Sequence, residues 1–575
     1  MKTKSRKKKA RVSTIFLIIV SLIIAVAIVG IVILIQKYAP TKERMPLSEY
    51  YKLKTDDASA LIINDELSET EDGAVNAIVQ SGSPYVSLDV INESFSEHYY
   101  YDSTEGVLRY VTATDVVSAS KDSPDYTVGI SSVSNKVPVL ISENDTNYIS
   151  LDFVKNFTDI TYTLSKDPYR LTISSAGLKR QVSTVKRDTE IRRLGGPKSK
   201  ILSDVKKGDK VIYLRNYGKW TRVISSDGVL GYIRNSCIDS AKDETVKATL
   251  TAQECTHILL DEKVKLLWHQ VTTADANTTV TSVISRSPGV NVLSPTWFSV
   301  AGNDGSLSSI ASLDYVNTCH AANIKVWGLF GNVEAISNGV DMTGLLSTTS
   351  SRDNLVNNIV AQAVAYSLDG VNIDFEQLKS AAGPGYGEFI RELALKCHKN
   401  DIVLSIDNYV PSDYTAFYDR ANQAKFADYV VIMAYDEYTT TSTEAGSTAS
   451  ISFVKQGVED TLKEVPKEQI ILGMPFYTRL WTEENGALSC TAMRMNEISD
   501  FLAQHNATAT WDDSLGQNYA EVSEDTKTYK IWVEDSYSIE EKLKVLDSNS
   551  LAGGAFWKSG QELPEVWDII NKYIN

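Results

Sequence analysis

At 575 residues, 43% hydrophobic and 23% charged, the chain is too long for one core and reads as two to four globular domains. The formal net charge is −16, and seven Lys/Arg in the first 11 residues (Lys2, Lys4, Arg6, Lys7, Lys8, Lys9, Arg11) leave a body of −23. So acidic a body excludes nucleic acid as the partner, because phosphate binding needs the opposite sign.

Residues 1–13 form a basic tail, and Thr14 to Ile35 is a 22-residue apolar run without a charge. At about 1.5 Å per residue such a helix crosses a hydrocarbon core of about 30 Å. The basic cluster before it keeps the N-terminus in the cytoplasm and puts the rest outside. The alternative is a secreted protein, since Ala25-Val26-Ala27 resembles a signal-cleavage box, but the apolar run continues eight residues beyond it. Five cysteines (Cys237, Cys255, Cys319, Cys397, Cys490) show no CxxC or CxxH spacing, so neither a metal framework nor a cofactor is expected.

Residues 36–75 are polar and read as a stalk. Tyr85-Val86-Ser87-Leu88-Asp89-Val90-Ile91 then recurs 63 residues later as Tyr148-Ile149-Ser150-Leu151-Asp152-Phe153-Val154, a small duplicated αβ module over 76–178. It resembles the copper amine oxidase N-terminal-like domains of bacterial surface proteins, although with His98 as its only histidine it has no copper site. Residues 181–240 read as short strands broken by Gly/Asp turns, hence a small β-barrel. Its KKGDKV, GKW and GYI runs resemble bacterial SH3-like domains. Trp220 and Tyr232 either stack on a cell-wall peptide or fill that barrel's core. Ser240 to Cys255 reads as a linker.

From about residue 256 strands alternate with helical segments, the signature of a parallel α/β fold. Eight strands are predicted: Val264–Gln270, Val290–Trp297, Ile324–Phe330, Gly370–Glu376, Ile402–Asp407, Tyr429–Tyr435, Ile470–Phe476 and Gly553–Trp557. Eight units over 256–575 fit a (β/α)8 barrel. The long interval after the seventh strand predicts a small α+β insertion, about 477–537, standing beside the face where the strands end.

The fourth strand carries the chemistry. Val371, Ile373 and Phe375 alternate with Asn372, Asp374 and Glu376, so three polar groups share one face. Catalysis on such a barrel occurs at the C-terminal strand ends. Repulsion and burial raise one carboxyl pKa, and Glu376, nearest the groove, is the better general acid. Two carboxyls on one strand cannot flank a sugar, as conventional glycosidase pairs roughly 5 to 9 Å apart do. The nucleophile must come from elsewhere, and a 2-acetamido group on the substrate can supply it, with Asp374 orienting that group.

Asp369-Gly370-Val371-Asn372-Ile373-Asp374-Phe375-Glu376 resembles the DxxDxDxE signature of family 18 glycoside hydrolases. Ser294-Pro295-Thr296-Trp297, Met433-Ala434-Tyr435-Asp436, Gly473-Met474-Pro475-Phe476-Tyr477 and Gly553-Gly554-Ala555-Phe556-Trp557 extend the resemblance, which is closest to the branch of bacterial spore-cortex and cell-wall glucosaminidases. The resemblance implies Glu376, Asp374 and Tyr435 as catalytic residues, with Tyr435 bonding the acetamido oxygen. It implies Asp369, Asn372, Asp436, Tyr477, Arg479, Trp557 and Trp297 as substrate-binding, with Trp557 the floor under the sugar. Asn372 stands where the signature has its second acid, so a three-acid proton relay is interrupted.

The expected partners are a glycan substrate, peptidoglycan ahead of chitin or N-glycans because the anchor and accessory modules suit a substrate fixed outside the cell, and a membrane through the N-terminal helix. Two other readings are a catalytically silent glycan-binding barrel, whose usual mark is loss of the terminal Glu, and an oxygen-ligand metal site of Asn372, Asp374 and Glu376.

Overall fold

The computed structural model describes residues 3–69, 75–251 and 255–575. Lys2, the 70–74 part of the expected stalk and the 252–254 part of the expected linker lie outside them. A helix spans Thr3–Tyr38, and its Val12–Tyr38 stretch is long and apolar enough to cross a membrane. The chain otherwise divides into two compact units, one built mainly from residues before 252 and one from Gln253–Asn575 together with Tyr100–Ser118 and Thr127–Ser131.

In the first unit the expected stalk is replaced by folded chain. Ala60–Ile63 forms a strand parallel to Arg170–Ser175, with Ile62 wholly buried, and Met45 enters the core of the sheet that follows. The physical reason is the apolar run Ala60-Leu61-Ile62-Ile63, which a polar average over 36–75 hides. The two repeats take matching forms, strand Ser83–Ser87 into helix Leu88–Phe95 and strand Thr146–Ser150 into helix Leu151–Val154. They pair with each other antiparallel, with Ile149 opposite Val86. Strands between Lys179 and Thr245 form a seven-stranded antiparallel sheet packed on Val185, Ile191, Val211, Val223 and Ile233. Trp220 and Tyr232 lie outside that core, half-exposed, with Arg234 5.9 Å from the Trp220 ring and Tyr217 5.6 Å from Tyr232.

The second unit is the barrel. Its strands are β1 (Val264–His269), β2 (Val292–Pro295), β3 (Lys325–Gly331), β4 (Gly370–Asp374), β5 (Val403–Tyr409), β6 (Tyr429–Met433), β7 (Ile470–Pro475) and β8 (Gly553–Trp557). All neighbours are parallel, and β1–β8 and β2–β3 pairings close the circle, which bears out the (β/α)8 expectation. Strand alternation divides the apolar residues into two layers. Leu266, Trp268, Trp327, Leu329, Val403, Val431 and Ala555 fill the interior, while Val371, Ile373 and Phe375 face the helices, Phe375 stacking on Phe389. Gly370 is needed for this filling, since a Cβ there would meet the Trp327 ring at 2.4 Å.

Between β7 and β8 the chain leaves to form a five-stranded antiparallel sheet, Tyr477 to Val533, with helix Met495–Gln504 on it. Its root is tied to the loop after β6. Trp481 Nε1 donates to the Gly446 carbonyl at 2.8 Å, and buried Gln517 bridges Ser447 to Glu534. Glu534 is in turn paired with buried Lys542 at 3.0 Å.

Candidate active site

β4 sends Asn372 and Asp374 into the barrel, and Glu376 follows two residues later, just past the strand's C-terminal end. Asn332, buried after β3, holds the Glu376 backbone from both sides: its Oδ1 accepts from the Glu376 N–H at 2.8 Å and its Nδ2 donates to the Glu376 carbonyl at 2.9 Å. Tyr409, at the end of β5, donates its hydroxyl to Glu376 Oε2 at 2.8 Å. Glu376, which sits beyond its strand, is thus fixed in main chain and side chain alike.

The interior raises the carboxyl pKa values because it removes water and brings like charges together. Asp374 is pushed up to about 8, by burial first and by Glu376 second. Glu376 is raised by burial, with the Tyr409 hydrogen bond opposing and Asp436 adding. A third carboxyl, Asp407 on β5, is held well above the carboxylate range by burial and then by Asp374. Burial and mutual repulsion thus favour the protonated form at all three carboxyls.

Tyr435 lies next to β6, half-buried against the interior cluster, and its phenol is pushed far above its usual range by burial and by Tyr477. Asp436, in the left-handed region at φ 60°, turns its carboxylate to the wall. Tyr477 donates to its Oδ1, and Arg479 Nη2 lies 2.6 Å from the same oxygen. Trp557 caps the interior at the end of β8, 5.8 Å from the Trp268 ring. Asp374, Glu376, Tyr435, Asp436, Tyr477, Arg479 and Trp557 all belong to C-terminal strand ends or to what leaves them.

Three expected ligands of substrate are elsewhere. Asp369 precedes Gly370 and so sits at the opposite end of β4. Its Oδ2 is 2.8 Å from His320 Nε2 and accepts from the Val326 N–H at 2.8 Å, ties that splice β3 to β4. Trp297 is only 2% exposed, in the layer between strands and helices, donating to Asn277 Oδ1 at 2.7 Å and packed on Tyr315. Asn372 is wholly buried with its amide saturated: Trp268 Nε1 (3.0 Å) and Ser294 Oγ (3.1 Å) donate to its oxygen, and its nitrogen donates to Ser405 Oγ (3.0 Å) and Asp407 Oδ1 (2.8 Å). It holds its neighbours in place and has nothing left for a sugar. Asn332, Asp407 and Tyr409 were not anticipated, although the alternation that selects Asp374 and Glu376 on β4 also selects Ser405, Asp407 and Tyr409 on β5.

The family model for glycosyl hydrolases family 18 matches residues 229–562. The glycosylase YvbX of Bacillus subtilis (strain 168) is 24% identical over 259 residues, 43% of this chain and 75% of that protein. The cortical fragment-lytic enzyme of the same strain is 24% identical over 240 residues, 40% of this chain, which spans 56% of that enzyme's length. The spore cortex-lytic enzyme SleL of Bacillus cereus superposes with a TM-score of 0.50 at 17% identity, covering 64% of this chain and 89% of that one, and so shares the fold. With the family model matched over more than half of its length, and a closed parallel barrel to carry it, the chain belongs to the glycosyl hydrolases family 18.

Proposed function

We propose that the protein is a membrane-anchored, outward-facing glycosidase that cleaves β-linked N-acetylglucosamine glycans, peptidoglycan above all, with retention and with the substrate's own acetamido group as nucleophile. The observation that carries the mechanism is Asp374 at the end of β4 with Glu376 two residues beyond it, both with raised pKa. Asp436, a further acidic side chain at this face, is engaged by Tyr477 and Arg479. Protonated Glu376 gives its proton to the leaving oxygen as the C1–O bond breaks and the acetamido oxygen bonds to C1. Asp374 receives the acetamido N–H, which turns cationic in the oxazolinium ring, and Tyr435 steadies the acetamido oxygen. Water then bonds to C1, the ring oxygen leaves, and the water's proton returns to Glu376.

Peptidoglycan is favoured by the name of the cortical fragment-lytic relative and by an apolar helix that would hold the barrel near a wall. Residues 76–178 and 181–240 are then spacer or wall-contact modules, the second through Trp220 and Tyr232. The test is hydrolysis of N-acetylglucosamine oligomers and purified peptidoglycan by the full chain and by Glu376→Gln. The wild type should release reducing ends, should be inhibited by a thiazoline analogue of the oxazolinium, and should prefer peptidoglycan, with Glu376→Gln at least about a hundredfold slower. Binding without hydrolysis by a folded wild type would make this barrel a glycan-binding protein instead. Activity insensitive to the thiazoline would remove the acetamido mechanism.

A further inference from the structure

We propose that Asp407 is the positioning acid of this site, sharing a proton with Asp374 and so supplying from β5 the relay group that Asn372 cannot supply from β4. The proposal rests on the glycosidase reading above and adds a residue to it. The register brings the two carboxyls together: Asn372 is opposite Ser405 and Ile373 opposite Ile406, so the following rung sets Asp374 beside Asp407. Parallel neighbours are about 4.8 Å apart, and Asp374 and Asp407 stand on the same inward face as Asn372 and Ser405.

The amide of Asn372 decides which way the proton can point. With its oxygen committed to Trp268 and Ser294, its nitrogen must face Ser405 and Asp407. Asn372 therefore pins Asp407 Oδ1 as an acceptor and leaves Oδ2 to carry hydrogen. Asp374 Oδ1 lies in the interior with no hydrogen-bond donor among the described residues. A buried carboxylate oxygen without a donor is destabilising, because it has given up its hydrogen bonds to water and gained none. An O–H on Asp407 directed at Asp374 satisfies it.

Among the described residues no cation acts on Asp407. The charged groups acting on Asp407 are Asp374 and Glu376, both of its own sign, and the polar groups around it include the Asn372 amide and the phenols of Tyr435 and Tyr386. Two carboxyls in one buried site cannot both ionise, so one proton stays between them. During the first step Asp374 is the anion that receives the acetamido N–H, while the Asp407 O–H donates to it from behind. Asp407 ends the cycle with the proton it began with.

The test uses the full chain in four forms: wild type, Asp407→Asn, Asn372→Asp, and the swap Asn372→Asp with Asp407→Asn. On N-acetylglucosamine oligomers Asp407→Asn should lose about tenfold to a hundredfold in kcat with little change in KM. The swap, which returns the acid to β4, should regain most of that loss with an altered pH profile. Independently of turnover, infrared difference spectra with labelled aspartate should contain a neutral carboxyl stretch at neutral pH that Asp407→Asn removes. Wild-type kcat and pH profile in Asp407→Asn overturn the proposal, as does a folded swap no faster than Asp407→Asn. Should Asp407→Asn not fold, the swap decides by the same readouts. A wild type that hydrolyses neither substrate defeats the glycosidase reading alone, and the infrared band then decides whether Asp407 holds the proton.

Discussion

Replacing Tyr409 by Phe isolates one force on Glu376, the proposed general acid. The Tyr409 hydroxyl donates to Glu376 Oε2 at 2.8 Å and is itself held protonated through the assay range, because burial and Glu376 raise its pKa. A hydrogen bond to a charged acceptor contributes about 1.5–3 kcal/mol, and the lower end suits a carboxyl that keeps some contact with solvent. That bond stabilises the ionised form, so its loss weakens Glu376 ionisation about tenfold, and the alkaline limb of the pH–rate profile moves up by about one pH unit. The sign follows from the proposed role, in which protonated Glu376 is the active form. The assay is kcat on N-acetylglucosamine oligomers from about pH 4 to about pH 9 for wild type and Tyr409→Phe, with melting curves to certify the fold. An alkaline limb that stays put or moves down would refute either the role of Glu376 or the hydrogen bond's effect on it.

Asp374 also makes a stability prediction. Its folded pKa, pushed up to about 8 from 3.8, means the native state holds more protons than the unfolded state between those values, so its contribution falls as pH rises through that window. Asp374→Asn should therefore gain on the wild type as pH rises, by an amount on the order of a few kcal/mol at pH 8 and near zero at pH 4, read from urea midpoints. An equal difference at both pH values would contradict the burial argument. Trp297→Phe should leave KM within about twofold while costing about 1–3 kcal/mol, because it strands the buried Asn277 oxygen. A large rise in KM without loss of stability would return Trp297 to the groove.

The barrel was legible in the sequence because its strands repeat a local rule: Val371, Ile373 and Phe375 announce a helix-facing side and Asp374 and Glu376 an interior one. The same rule places Asp369 at the start of the strand, yet the resemblance grouped it with residues at the end, where the groove is. Position along a strand decides that question, and residue type does not. What could not be read were the partners of Asn372, which come from 104, 78, 33 and 35 residues away on three other strands. Spacing within β4 carries no trace of which groups the closed circle brings opposite it. The stalk was misread for another reason, since four apolar residues at Ala60–Ile63 suffice for a buried strand but barely change the average of forty.

The wall begins where β7 stops, and its first strand supplies both Tyr477 and Arg479, the residues that hold Asp436. The hydrogen bonds to Asn372 and Glu376, by contrast, come from β1, β2, β5 and the turn after β3: Trp268, Ser294, Asn332, Ser405, Asp407 and Tyr409. The two sides thus meet at Asp436, which the inserted sheet holds and which raises the Glu376 carboxyl. Exchanging residues 477–533 therefore alters that side of the groove and, by releasing Asp436, the acid as well, while Asn332 and Tyr409 keep Glu376 registered to the barrel.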